Sequence, residues 1–300
     1  MTGSAFKLSL VGGGSDMKDH AEWAVSCLLD DTPSLWSCLA VWLASALEVA
    51  RIPASQIHVH HVCALREEAL RMCLDAGVRT HRVDKFHARH PHTNKIRQCF
   101  TDYGSVRRVM LTDVDTAFAG APDAAAIFQP VAGKPVDLPN PPYEILLRLF
   151  EAAGLQPPET LHTVRSDGSD TLHTFATLPG NFNGGMYAID SSVLGKLGSS
   201  WSKWALWLIP QVNMLGRWAT HVDQIAFCLA VNELRIPLQH LDDTWNLPIH
   251  LGAPPPGADP ILIHHHGLLL SDDDPRIRNY SRIANSAARI RNALRIRKMI

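Results

Sequence analysis

Short apolar runs alternate with helix-spaced stretches between Trp23 and Leu111, and that alternation most limits the folds open to this chain. Trp23–Leu29 is a short, mainly apolar run, consistent with a buried parallel strand. It runs into Asp30-Asp31-Thr32-Pro33, where Thr32 can cap a helix and Pro33 fits the first turn. Leu35, Leu39, Leu43, Leu47 and Ala50 then recur at helical spacing. Ile57–Val62 predicts a second strand, Leu65–Ala76 a helix ended by Gly77, and Val78–Val83 a third strand. Thr93 is the expected cap of a further helix, with Ile96, Cys99, Phe100 and Tyr103 on one stripe and Gly104 as its stop, ahead of a strand at Val109–Leu111. This order argues for a parallel sheet covered by helices on both faces. Ligands of such sheets sit beyond the carboxyl ends of the strands, so the residues after Leu29 and Leu111 are the first places to search.

The pattern breaks over residues 120–180, which are rich in proline and hold one expected helix, Tyr143–Ala153, and a hairpin turning at Ser166-Asp167-Gly168-Ser169. This stretch reads as an insertion over the strand ends of a single domain spanning residues 1–275. Periodicity returns with Asn183–Asp190, a helix at Val222–Leu234, and strands near Pro237–Leu241 and Ile261–His264. Six cysteines without a C-x-x-C pair, most of them in apolar runs, read as reduced thiols. No basic flank leads into an apolar N-terminal segment, and no stretch holds the length of unbroken apolar residues that a membrane span needs, so a cytoplasmic location is the expectation. Gly12-Gly13-Gly14 lacks a following G-K-[ST] and is expected to be a loop, not a phosphate cradle.

Charge is uneven. Of 28 basic and 29 acidic residues, eight basic and no acidic ones fall in 276–300, which sets that tail at +8 against −9 for the rest. Ile283, Ala287, Ile290 and Leu294 form one helical stripe there, flanked by Arg282, Arg289, Arg291 and Arg295. Two accounts fit a basic amphipathic helix: packing of the stripe on the acidic body, or peripheral docking at the anionic inner face of a membrane.

Four places carry chemistry. Asp113-Val114-Asp115 follows an apolar strand, and in an extended segment the two carboxylates share a side, where a divalent cation would relieve their repulsion. The bland alternative is a turn cap with a solvated neighbour. Asn183-Gly184-Gly185 lets a backbone approach closely and offers an amide to hydroxyl groups, although the same residues also make a plain turn. Thr220 and Asp223 fit a capping box at the start of an apolar helix, whereas Gln224 needs a partner. His264-His265-His266-Gly267 ends a strand, and alternation puts His264 and His266 on one side, where imidazole suits a transition metal. The remaining histidines, His58, His60, His61, His81, His87, His90 and His92, lack ligand spacing and read as strand-edge and loop residues.

In order, LTDVD, FNGG, VDQ and IHHHG resemble the GT-A glycosyltransferases, especially the retaining family that includes glycogenin and the bacterial lipopolysaccharide galactosyltransferases. The resemblance spans roughly Trp23 to Gly267 and departs where Leu268-Leu269-Leu270 replaces that family's K-P-W. It implies a GT-A fold, a Rossmann-like mixed sheet flanked by helices, and a Mn2+ or Mg2+ ion held by Asp113, Asp115 and His264, with His266 a rival ligand. It also implies a nucleotide-sugar, a UDP-sugar by preference, bound by Asp30, Lys95, Asp113, Gly184 and Gly185. Asp223, Gln224 and Asn183 would surround the reacting sugar, and the acceptor would be a glycan, a lipid-linked hydroxyl or a small molecule. Nucleic acid is not an expected partner. Two rivals share the scaffold: a sugar-phosphate nucleotidyltransferase and a non-catalytic carbohydrate-binding protein. The first usually opens on a glycine-rich loop, where this chain has Asp-Asp-Thr-Pro, and the second has no need of the D-x-D. A histidine-rich metallohydrolase is the third alternative.

Overall fold

A computed structural model describes residues 21–30, 32–166, 172–251, 259–267 and 281–296. The expected glycine loop at 12–14, the hairpin turn at 167–169 and the basic residues Arg276, Arg278, Arg297 and Lys298 lie outside them, as does the departing leucine run.

The alternating units fold as anticipated: β1 (Ala21–Leu29), α1 (Pro33–Ala44), β2 (Ile57–His61), α2 (Glu67–Ala76), β3 (Arg79–Arg82) and β4 (Val106–Asp113). Thr32 precedes α1 in extended conformation with Pro33 at the first turn, though the Thr32 side chain makes no capping bond. Gly77 ends α2 in the left-handed region (φ +69°). β1 pairs in parallel with both β2 and β4. The chain continues through β5 (Thr116–Phe118), β6 (Val131–Pro135), α3 (Tyr143–Ala152), the hairpin β7 (Leu161–Ser166) and β8 (Leu172–Thr177), and β9 (Phe182–Asp190). Then come α4 (Ser191–Leu208), α5 (Val212–Leu215), α6 (Val222–Glu233), β10 (Leu238–His240), β11 (Leu247–Pro248), β12 (Leu262–His264) and α7 (Ser281–Ile296).

The main sheet has seven strands in the order β10-β6-β9-β4-β1-β2-β3. It is mixed, not all parallel, because β9 runs antiparallel to both β4 and β6. β6 runs toward the carboxyl ends of the parallel strands and β9 runs back from them. Thus β6, inside the stretch expected as an insertion, is a strand of the main sheet. Alternation sorts the side chains into two layers. Val25, Cys27, Leu29, Met110, Met186 and Ala188 pack toward α1 and α2. Ala24, Val109, Leu111, Tyr187 and Ile189 pack toward α4 and α6.

Three local expectations change. Residues Pro91–Phe100 form a 3₁₀ helix whose cap position is His90, and Thr93 folds its hydroxyl back onto the His90 carbonyl (2.5 Å). α1 gives way to a wider π-type turn at Ser45–Val49, with the Ala50 amide reaching the Ser45 carbonyl (2.9 Å). His58 and His60, expected at an edge, are fully buried under Tyr103 and His81. Strand alternation turns both rings to the face covered by the 3₁₀ segment, where polar partners replace apolar ones.

From Cys38 to Ala44, α1 is apolar and buried on every side, while Ser34 and Ser37 nearer its start are exposed. Leu39 and Leu43 meet the sheet, while Ala40, Val41 and Ala44 meet Ala287, Ile290, Ala293 and Leu294 of α7. Ala287, Ile290 and Leu294 of the apolar stripe are therefore spent on the body, with Arg289 reaching the Ala119 carbonyl (3.3 Å). That is the first of the two accounts of this helix, and membrane docking by the stripe would require it to detach. Among the described residues no helix is long and apolar enough to cross a membrane.

Candidate functional site

Strand order reverses between β1 and β4, since β2 and β3 lie to one side and β9, β6 and β10 to the other. The crevice at that switch point, beyond the strand carboxyl ends, is where open α/β sheets bind ligands. A cavity of about 510 Å³ opens there. It is lined by every site residue expected from the sequence: Asp30, Lys95, Asp113 and Asp115 from the first half, Asn183, Gly184 and Gly185 from β9, Asp223 and Gln224 from α6, and His264 and His266 from the end of β12.

Lys95 organises one wall. Its ammonium lies 2.6 Å from Asp113 and 4.0 Å from Asp223, and donates to the Gly184 carbonyl. Burial alone would depress the Lys95 pKa, but Asp113 and Asp223 hold it above the ordinary value, so the amine stays charged. Asp223 shifts upward because its burial outweighs the attraction of Lys95. It is not part of a capping box: His221 holds the cap position of α6 without a side-chain bond, and the Asp223 side chain faces the cavity. Gln224 finds its partner in His221 (Nε2 to Nδ1, 3.2 Å). Asn94 reaches Asp30 (3.3 Å) from the same 3₁₀ segment that carries Lys95.

The two carboxylates of the D-x-D part company. β4 ends at Asp113 and the chain turns through Val114 and Asp115, so the period-two rule lapses there. Asp113 is paired with Lys95, whereas Asp115 meets His264 (3.4 Å) and His266 (2.9 Å). Among the described residues, Asp115, His264 and His266 form the one set whose donor atoms all lie within 4.8 Å of each other. Asp113, expected as a ligand, is outside that set because a buried cation already satisfies it. Burial would raise the Asp115 pKa, but bonds to His264 and His266 hold it far below the carboxylate range. His264 is correspondingly raised, against its own burial, by Asp115. His266 takes a left-handed backbone (φ +46°) that a non-glycine residue rarely adopts, and Gly267 follows at φ +85°.

The residues fit a divalent cation. His264 turns its Nε2 toward Asp115 (3.4 Å), and its Nδ1, buried and without a hydrogen-bond partner among the described residues, lies on the Gly185 side. Gly185 makes room for that ring, since a Cβ on it would stand 2.6 Å from Nδ1. One carboxylate and two imidazoles suit a first-row transition ion better than the all-oxygen shell magnesium takes.

Asn183 spends its amide inside the protein. It donates to Asp137 (2.5 Å) and accepts from the Gly185 amide (2.9 Å) and Asn246 (3.1 Å). Asp137 is held in turn by buried Lys134, which also pairs with Asp243 (2.6 Å) and donates to the Asn246 carbonyl (3.0 Å). Asp137 and His250 line the cavity without belonging to any sequence motif. The available signals were weak ones: a lysine in the apolar strand Val131–Pro135 that needed a counter-ion, and Pro248–His250 repeating the two-residue step of His264–His266.

No protein-family model and no curated protein matches the chain. Among solved structures it is similar to mouse xyloside xylosyltransferase 1 in its apo form, at 14% identity over 89% of this chain and 93% of that one, with a TM-score of 0.45. It is also similar to the galactosyltransferase LgtC in complex with donor and acceptor sugar analogues, at 13% identity over 88% of this chain and 95% of that one, with a TM-score of 0.48.

Proposed function

We propose that the chain is a metal-dependent glycosyltransferase of the GT-A type, which moves a sugar from a nucleotide-sugar to an acceptor hydroxyl with UDP as leaving group and with retention. The observation carrying this reading is that four motifs far apart in sequence converge on one charged cavity at the switch point of the sheet. Asp115, His264 and His266 would hold the ion, which when bound supplies positive charge to a departing diphosphate.

The chain's own residues account for the rest. Lys95, kept charged between Asp113 and Asp223, places a fixed cation on the same wall and needs no reorganisation as negative charge develops. Gly184 allows this, because a Cβ there would stand 3.1 Å from the lysine ammonium and 3.3 Å from the Gln224 amide. Asp223 and Gln224 present a carboxylate and an amide to sugar hydroxyls from the mouth of α6. Asn183 acts as a positioning residue, orienting Asp137 toward the bound sugar. Gln224 is a poor nucleophile, so front-face attack of the acceptor beside the leaving phosphate fits retention better than a covalent sugar intermediate.

A melting-temperature panel of nucleoside diphosphates and nucleotide-sugars, each with and without manganese, tests the reading, since a ligand that binds the native state raises apparent stability. UDP with manganese is expected to raise the melting temperature, and Asp115→Asn to remove the manganese-dependent part. If Asp115→Asn responds to UDP and GDP with manganese as the parent does, the metal assignment is wrong.

A further inference from the structure

A third imidazole stands at the cluster. β11 pairs in parallel with β12 so that Pro248 lies opposite His264. Two residues further along both strands, His250 comes beside His266, with ring centroids 4.0 Å apart and planes at 84°. The His250 and His264 rings are 6.0 Å apart, and those of His264 and His266 stack at 4.2 Å. The Nδ1 atom of His250 is buried and lacks a hydrogen-bond partner among the described residues. A third nitrogen donor thus stands against His266, one of the two rings that meet Asp115, although it lies outside the set whose donor atoms all come within 4.8 Å of each other. The left-handed backbone at His266 points the same way. Strain of this kind persists where the surroundings hold it, and here it keeps the His266 Nδ1 atom 2.9 Å from Asp115.

We infer that His250 is a further protein ligand of the ion, making the site three imidazoles and one carboxylate and biasing it toward zinc, cobalt and similar ions over magnesium. This rests on the metal-binding part of the proposed function and deepens it. The ligand chemistry follows from donor softness: imidazole suits borderline transition ions, whereas magnesium favours carboxylate, carbonyl and water oxygens. Asp113, which an oxygen-rich site would need, is instead held by Lys95.

The test uses the full chain, stripped by chelation and titrated with metal alone, followed by calorimetry and by the visible absorption of bound cobalt. The parent is expected to bind one equivalent of zinc or cobalt roughly a hundredfold more tightly than magnesium. His250→Ala should weaken cobalt by about tenfold or more, at least what losing an outer-shell partner costs, and should change the cobalt spectrum. His250→Gln serves as a second variant of closer size, with melting curves confirming that both are folded. If folded variants bind cobalt with the parent's affinity and spectrum, His250 is not a ligand and the inference fails alone. If the parent binds no transition ion at all, the metal-dependent reading fails with it.

Discussion

Lys95 shows how one side chain decides the electrostatics of a site. Asp113 and Asp223 approach each other across the cavity and Lys95 stands between them, 6% exposed. Removing one partner from a buried ionic cluster leaves uncompensated charge, so Lys95→Met should destabilise the fold by about 3–5 kcal/mol near neutral pH. Asp223 already has a raised pKa, meaning that its charged form is the disfavoured one in the fold. The loss should therefore be greatest above that pKa and shrink as the pH falls and the carboxyl takes up a proton. Urea unfolding at pH 7.5 and 5 measures this, and a loss that does not depend on pH would contradict it. His58 and His60 give the opposite sign. Burial first, and then the neighbouring His81, lowers His58 to about 4 and His60 well below its ordinary value. Both are neutral in the fold and protonate from about pH 6.5 when unfolded, so their contribution is complete above 6.5 and declines as the pH falls toward 4. Unfolding free energies at pH 7.5, 5.5 and 4.5 should fall in that order, and His58→Gln should flatten the decline. That the four motifs share one cavity was legible from their order, whereas Asp137 and His250, which also line it, belong to no motif. That Asp113 and Asp115 serve different partners was not legible, because the turn at Val114 and the ammonium that reaches Asp113 both come from tertiary structure.

At the scale of elements, the 3₁₀ segment Pro91–Phe100 is the hinge between core and chemistry. It presents His92 and Lys95 to the cavity, ties Asn94 to Asp30 (3.3 Å) and Gln98 to Ser26 (2.6 Å), and backs onto α4 through Cys99. Gly198 makes that contact close: a Cβ on it would stand 2.5 Å from the Cys99 Cβ. Gly198→Ala has to push α4 and the segment apart, and overpacking of this kind costs about 1–3 kcal/mol. Part of the displacement should appear at Lys95, as a weaker response of the melting temperature to UDP than Gly195→Ala gives, since Gly195 has open space around it. Equal responses from the two variants would mean that the segment and the site are uncoupled. The strands and helices of the β-α units were readable because short apolar runs alternate with stretches of helical spacing. β9's direction was not, since its alternation is the same whichever way it runs, and only its pairing with β4 and β6 shows it. The cap of α6 differs for a related reason: Thr220 and Asp223 have capping-box spacing, but the preceding 3₁₀ turn runs through His221 and leaves Thr220 one residue before the cap position.

Taken whole, the molecule is a sheet with two helical layers and, on the α1 side, a third layer made by α7. Ile290 and Leu294 are each about 1% exposed, so ending the chain at residue 280 should remove about 3–6 kcal/mol of apolar burial. The shortened protein should melt several degrees lower and bind a dye specific for exposed apolar surface. Neither form should float with anionic liposomes at low salt, and flotation of the full chain alone would favour docking of the basic face. The helical stripe of Leu35, Leu39, Leu43 and Leu47 was legible, but the second apolar face of α1 and its partner far along the chain were not. That separation bears on synthesis. A ribosome makes α1 early and α7 last of the described elements, so the Ala40, Val41 and Ala44 face of α1 is complete and bare for most of translation. Bare apolar surface on a nascent chain invites chaperones and aggregation alike. Slow elongation over the later strands would lengthen that exposure, and the yield of this protein should therefore depend on how quickly α7 leaves the exit tunnel.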